Sequence, residues 1–189
     1  MFIGGINSFL YHGFYLVLSL SFDKLLIWIN NGGDYKLTTD KAGAVIYAIN
    51  GDIIFNGGTY DLSAGYASAT GGMWVIRNDS ADHTIIFNDG DMKLYARNIA
   101  GMKSLNLIEI NGGKIYGTNG GSLALLQHNY GKVKMTGGIL ELYGTGSAYG
   151  YDAAKEQFPT FDLSGMSCYT SVYGSSPETA KPFTEITTG

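Results

Sequence analysis

Apolar and polar residues alternate along most of this chain, and the alternation is broken at intervals by Asn-Gly-Gly, Thr-Gly-Gly or Asn-Asp-Gly. Near the start, Phe14, Leu16, Leu18, Leu20 and Phe22 alternate with Tyr15, Val17, Ser19 and Ser21. Period two is the signature of a strand with one buried face. A membrane-spanning helix needs about 20 apolar residues, more than this run supplies between His12 and Asp23-Lys24. A strand is therefore expected here, with a degenerate export segment or membrane contact as the alternative.

The same alternation then recurs as a repeat. Five segments share its form: WINNGGDYKL, IIFNGGTYDL, IIFNDGDMKL, IEINGGKIYG and VKMTGGILEL. Their second glycines are Gly33, Gly58, Gly90, Gly113 and Gly138, spaced 25, 32, 23 and 25 residues apart. Recurrence at 23–25 residues, with one longer interval, matches one coil of a three-sided parallel β-solenoid, whose units bury their apolar faces only by stacking on neighbours.

Aligned on those glycines, the segments give columns. Trp28, Ile53, Ile85, Ile108 and Val133 form one; Asn30, Phe55, Phe87, Ile110 and Met135 a second. Beyond the corner come Tyr35, Tyr60, Met92, Ile115 and Leu140, then Leu37, Leu62, Leu94, Gly117 and Leu142. These positions alternate, so within a strand they share a face. Stacking at about 4.8 Å turns each column into an apolar ladder.

The corner column is Asn31, Asn56, Asn88, Asn111 and Thr136. Asn and Gly tolerate the positive φ that a sharp corner requires, and a buried file of Asn side chains can satisfy its amides from coil to coil. Asn-Gly hairpins in an antiparallel sheet are the alternative, but they give no reason for columns to recur at one-coil spacing. Between the apolar positions, Lys36, Asp61 and Lys93 form a file of alternating charge, Glu109 faces Lys134, and Ile29, Ile54 and Ile86 make an outward apolar stripe that calls for cover by a terminal segment or a partner.

Composition narrows the picture. Charged residues are 15% of 189, against about 25% in an ordinary soluble domain, while 45% hydrophobic residues supply a core. The net charge of -4 excludes a nucleic-acid partner that would need a basic stripe. A lone Cys168 excludes an internal disulfide framework and a thiolate zinc site. All three prolines, Pro159, Pro177 and Pro182, follow the last repeat. The chain thus divides into a β-helical body at residues 1–150, with its N-terminal apolar segment as a capping strand, and a C-terminal cap or tail at 151–189, where residues 152–158 have a short helical pattern.

The Asn-Gly-Gly corners with aliphatic files resemble those of right-handed parallel β-helix proteins, in particular bacterial surface adhesins and phage tail-spike-like proteins, over residues 30–150. The resemblance implies an all-β, single-stranded right-handed parallel β-helix, here of about five to six coils capped at both ends. It also implies an extracellular, cell-surface or virion location and contact with glycans or a host surface. Fold alone does not fix activity.

The longest interval between corners carries a surplus within residues 63–83, and departures from a rigid coil are where function usually sits. Tyr66, Trp74, Arg77, Asp82 and His83 are the candidate ligand-binding residues there, with Asp79 beside them: aromatic rings stack on sugars, and Arg and Asp bond hydroxyls. The competing reading places Trp74 in the core with Val75 and Ile76. No residue set calls for a cofactor or metal. His12, His83 and His128 lie far apart, and Asp82-His83 or the Asp89/Asp91 pair are fragments of ligand sets only. Ser21 and Lys24 fit S-x-x-K without its companion motifs. Catalysis has one opening: Asp34 and Asp91 share a column across Thr59, two coil spacings or about 9.6 Å apart, near the upper limit of about 9.5 Å for an inverting carboxylate pair. The expected function is a non-catalytic structural or adhesive surface domain. The alternatives are a polysaccharide lyase or glycoside hydrolase of the same fold, and a self-assembly module as a homo-oligomer or part of a larger protein.

Overall fold

The computed structural model describes residues 28–39, 43–65, 73–97, 101–119, 126–128, 132–144, 160–162, 172–174 and 181–182. Among them are seventeen strands and no helix. They run β1 (Trp28–Asn30), β2 (Asp34–Thr39), β3 (Gly43–Ala48), β4 (Ile53–Phe55), β5 (Thr59–Ala64), β6 (Met73–Asn78), β7 (Thr84–Phe87), β8 (Asp91–Ala96) and β9 (Met102–Ser104). There follow β10 (Leu107–Ile110), β11 (Lys114–Asn119), β12 (Leu126–His128), β13 (Lys132–Met135), β14 (Ile139–Gly144), β15 (Thr160–Asp162), β16 (Val172–Gly174) and β17 (Lys181–Pro182). The apolar segment of residues 14–22, the S-x-x-K at 21–24, the helical pattern at 152–158, Tyr66 and Cys168 lie outside the described residues.

The strands form three sheets, and the chain visits them in rotation. The first sheet has the order β1-β4-β7-β10-β13-β15, the second β17-β16-β14-β11-β8-β5-β2 and the third β12-β9-β6-β3. Neighbours are parallel throughout except β16 and β17. Asn-Gly hairpins are thereby overturned: a hairpin returns antiparallel to its own predecessor, whereas each of the five repeat corners here hands the chain from the first sheet to the second. In the segment 151–189, β15 adds to the first sheet beside β13 and β16 to the second beside β14.

The pairing register is that of the sequence columns. Trp28 pairs with Ile53, Ile53 with Ile85, Ile85 with Ile108 and Ile108 with Val133. In the second sheet Leu37, Leu62, Leu94, Gly117 and Leu142 follow one another in the same way. Ile53, Phe55, Ile85, Phe87, Ile108, Ile110, Val133 and Met135 from the first sheet are buried, with Leu62, Leu94, Ile115 and Leu140 from the second and Val45, Ile46 and Ile76 from the third, in one apolar cluster. Burying a side chain of this size is worth about 1.5–3 kcal/mol, and each is buried only because the strands before and after it carry its counterpart.

Asn30 departs from its apolar column yet is 6% exposed. Its Oδ1 accepts the Gly32 amide at 2.8 Å, which satisfies the polar group inside the core. Tyr60, fully buried, stacks on Tyr35 at 5.5 Å and donates its hydroxyl to the Gly57 carbonyl. Burial, and next the neighbouring Tyr35, push the Tyr60 phenol up to about 12.

Successive corners touch through backbone. A Cβ at Gly90 would lie 2.5 Å from the Gly58 carbonyl oxygen, and φ there is +111°. Glycine is thus required by both contact and conformation. The corner amides keep the ladder running: Asn88 N–H donates to Phe55 O at 2.8 Å and Asp91 N–H to Gly58 O at 2.9 Å.

Candidate functional site

Two faces gather charged and aromatic side chains. The first is on the third sheet and includes two of the residues singled out in the sequence. Trp74 and Arg77 lie on β6 and therefore belong to a strand rather than a loop. Val75 and Ile76, adjacent in sequence, are both buried, and their amides both donate to the Gly101 carbonyl, at 3.1 and 2.8 Å. Two residues opposing one is a β-bulge, which shifts the side-chain alternation by one. Trp74 and Arg77, three apart, consequently come to one face, with Trp74 half-buried there instead of joining Val75 and Ile76 in the core.

On that face the Arg77 guanidinium lies 4.0 Å from the centre of the Trp74 ring and 4.9 Å from that of Tyr47. Lys103 Nζ stands 4.9 Å from the Trp74 ring. Tyr47, Arg77 and Lys103 are register partners on β3, β6 and β9. Asp79, just past β6, joins all three: it accepts from the Tyr47 hydroxyl at 3.0 Å and from Lys103 Nζ at 3.2 Å, and it is ion-paired with Arg77. Burial works against the Asp79 charge, but the Arg77 hydrogen bond, the Lys103 charge and the Tyr47 hydroxyl outweigh it and hold the carboxyl below its ordinary value. Tyr47 moves the other way, pushed up first by burial and then by its bond to Asp79. Both cations lie against the Trp74 ring, and the cluster ties β3, β6 and β9 together.

The remaining sequence candidates do not converge here. Asp82 is exposed, with its backbone N–H on Ser80 Oγ at 3.3 Å. His83 Nδ1 faces Asp52 Oδ1 at 3.5 Å, and Asp52 Oδ1 also accepts the Thr84 amide at 2.7 Å. Among the described residues, no three His, Cys, Asp or Glu side chains gather as metal ligands.

The second face is the outer side of the second sheet. Its alternate positions run Asp34, Lys36, Thr38 on β2; Thr59, Asp61, Ser63 on β5; Asp91, Lys93, Tyr95 on β8; Lys114, Tyr116, Thr118 on β11; and Ile139, Glu141, Tyr143 on β14. Lys36 pairs with Asp61 at 3.3 Å and Lys114 with Glu141 at 3.1 Å. A shallow depression of about 620 Å³ is lined by Thr59, Asp91, Lys93, Lys114, Tyr116 and Glu141, with Met92 beneath. Tyr116 and Tyr143 are tilted against each other at 5.7 Å, and Tyr95 is 42% exposed. Asp91 lines this depression, and Asp34 is not among its lining residues.

No family model, curated protein or solved structure matches the chain.

The corner file separates the first and second sheets and runs on the surface. Asn56 Nδ2 donates to Asn31 Oδ1 at 2.9 Å, Asn88 to Asn56 at 2.7 Å and Asn111 to Asn88 at 2.8 Å, and Thr136 Oγ1 closes the series on Asn111 Oδ1 at 2.6 Å. A buried file was expected, but Asn31, Asn56, Asn88 and Thr136 are exposed and Asn111 half-buried. The sharp turn aims the corner side chain outward, and the amides satisfy one another in solvent. On the first sheet's outer side Glu109 pairs with Lys134 at 2.8 Å, while Ile54 and Ile86 are each half-buried.

Proposed function

We propose that this chain is a right-handed parallel β-helix of about five to six coils that serves as a non-catalytic surface domain, holding a rigid patterned face toward glycans or other surface molecules outside the cell. The observation that carries the reading is the outer side of the second sheet, where Tyr116 lines a depression together with two carboxylates and two lysines, Tyr143 packs against Tyr116, and Tyr95 stands exposed on the same face. Tyrosine offers a ring to the apolar side of a sugar and a hydroxyl to its edge, and fixed charged groups bond sugar hydroxyls at geometries that a regular sheet keeps constant. The strand rotation among three sheets, with matched registers, supports the coiled architecture; handedness follows the preference of parallel crossovers.

The test is a glycan array read together with a reducing-sugar assay on the same ligands. Retention of one glycan class without release of sugar, weakened about tenfold (roughly 1.4 kcal/mol) by Tyr116→Ala, is the expected result. Release of oligosaccharide that disappears in Asp91→Asn would establish a polysaccharide-active enzyme instead.

A further inference from the structure

Four Asn-Gly pairs lie within the described residues: Asn31-Gly32, Asn50-Gly51, Asn56-Gly57 and Asn111-Gly112. In such a pair the glycine amide nitrogen can lose its proton and attack the Asn Cγ. The new C–N bond closes a succinimide, the Cγ–Nδ2 bond breaks and ammonia leaves. Water then opens the ring at either carbonyl to give aspartate or isoaspartate. Glycine makes this easy because no Cβ shields the nitrogen.

Three of the four pairs are held against this reaction. Asn56 and Asn111 each engage both side-chain atoms in the corner file, donating through Nδ2 and accepting through Oδ1. At Asn31 the attacking nitrogen itself is occupied, since Gly32 N–H donates to Asn30 Oδ1. Asn50 differs: it is exposed at the bend between β3 and β4, with no side-chain hydrogen bond to another described residue.

We propose that Asn50 is a site of spontaneous modification to aspartate and isoaspartate in the folded protein, and that the corner file protects Asn56 and Asn111 from the same fate. Reaction at the file requires local opening that breaks its bonds. Opening therefore carries an irreversible consequence: an aspartate at position 56 has no donor for Asn31 Oδ1, and an isoaspartate lengthens the backbone by one carbon at a corner where glycines already touch.

The experiment incubates the full chain at mildly alkaline pH, native and in urea, and follows each Asn-Gly peptide by mass spectrometry with isoaspartate detection. In the native protein Asn50 should convert first, while Asn56 and Asn111 convert at least about tenfold more slowly than in urea. Asn88→Ala removes the partners of Asn56 Oδ1 and Asn111 Nδ2. It should accelerate conversion at both positions while the rate at Asn50, the internal reference for folding, stays unchanged. Native conversion of Asn56 or Asn111 as fast as Asn50, or an Asn88→Ala protein with unaltered rates at both, would overturn the proposal.

Discussion

Asn88 donates its side-chain amide to Asn56 across 2.7 Å, although 32 residues separate them. That interval is the longest between corners, so the contact survives the largest irregularity in the repeat. Asn88→Ala removes this bond and the one from Asn111. Both are exposed, and a solvent-exposed hydrogen bond contributes at the low end of about 0.5–1.5 kcal/mol. A loss of about 1 kcal/mol in urea unfolding, with an unchanged slope, is the expected outcome.

Glycine substitutions should separate contact from mere flexibility. Gly90→Ala sets a Cβ 2.5 Å from the Gly58 carbonyl at a positive φ, and strain of this kind costs about 1–3 kcal/mol before the clash is counted. Gly65→Ala meets only Thr39 O at 3.8 Å with no such φ. Thermal melts should show a severe loss for the first and little change for the second.

Asp79 makes acid stability measurable. Its carboxyl is held below the ordinary value, so the folded state binds its proton less readily than the unfolded state. The contribution is complete above the ordinary carboxylate range and is lost as pH falls through the folded value. Asp79→Asn should cost about 1–3 kcal/mol at neutral pH by leaving Arg77 and Lys103 without a counter-charge, and should flatten that part of the acid limb. Urea midpoints against pH check both.

Tyr60 provides the alkaline counterpart. Its phenol is raised from 10.0 to about 12, so the folded state keeps a proton that the unfolded state gives up. The stabilisation is full below the unfolded value and declines as pH rises between those two values. Tyr60→Phe should reduce this alkaline slope and cost about 1 kcal/mol at neutral pH, since the Gly57 carbonyl loses its donor.

The first two sheets were legible because each corner glycine marks the register of the strands beside it. Ile53 over Ile85 and Leu62 over Leu94 could be aligned by eye. The third sheet had no such marker. The connections into β3, β6 and β9 span residues 40–42, 65–72 and 97–101, so Tyr47, Arg77 and Lys103 fall out of alignment when counted from the glycines. The bulge at Val75-Ile76 hid the rest: in a regular strand, residues three apart face opposite ways, which would have kept Arg77 off the Trp74 ring. The depression lined by Tyr116 was obscure for another reason. Its residues sit on outward positions of separate repeats, where only a complete register shows Tyr116 beside Tyr143.

Equivalent residues of successive rounds lie directly over one another. Paired cysteines in a Cys168→Ser background test it. Adjacent parallel strands bring corner Cα atoms to about 4.8 Å, inside the 4.4–6.8 Å range of a disulfide, whereas two strands' separation exceeds it. Oxidised Asn56→Cys/Asn88→Cys protein should form an intramolecular disulfide quantitatively, and Asn56→Cys/Asn111→Cys should not. Failure of the first pair to close, or equal closure of both, would contradict the stacked register from which every assigned face follows.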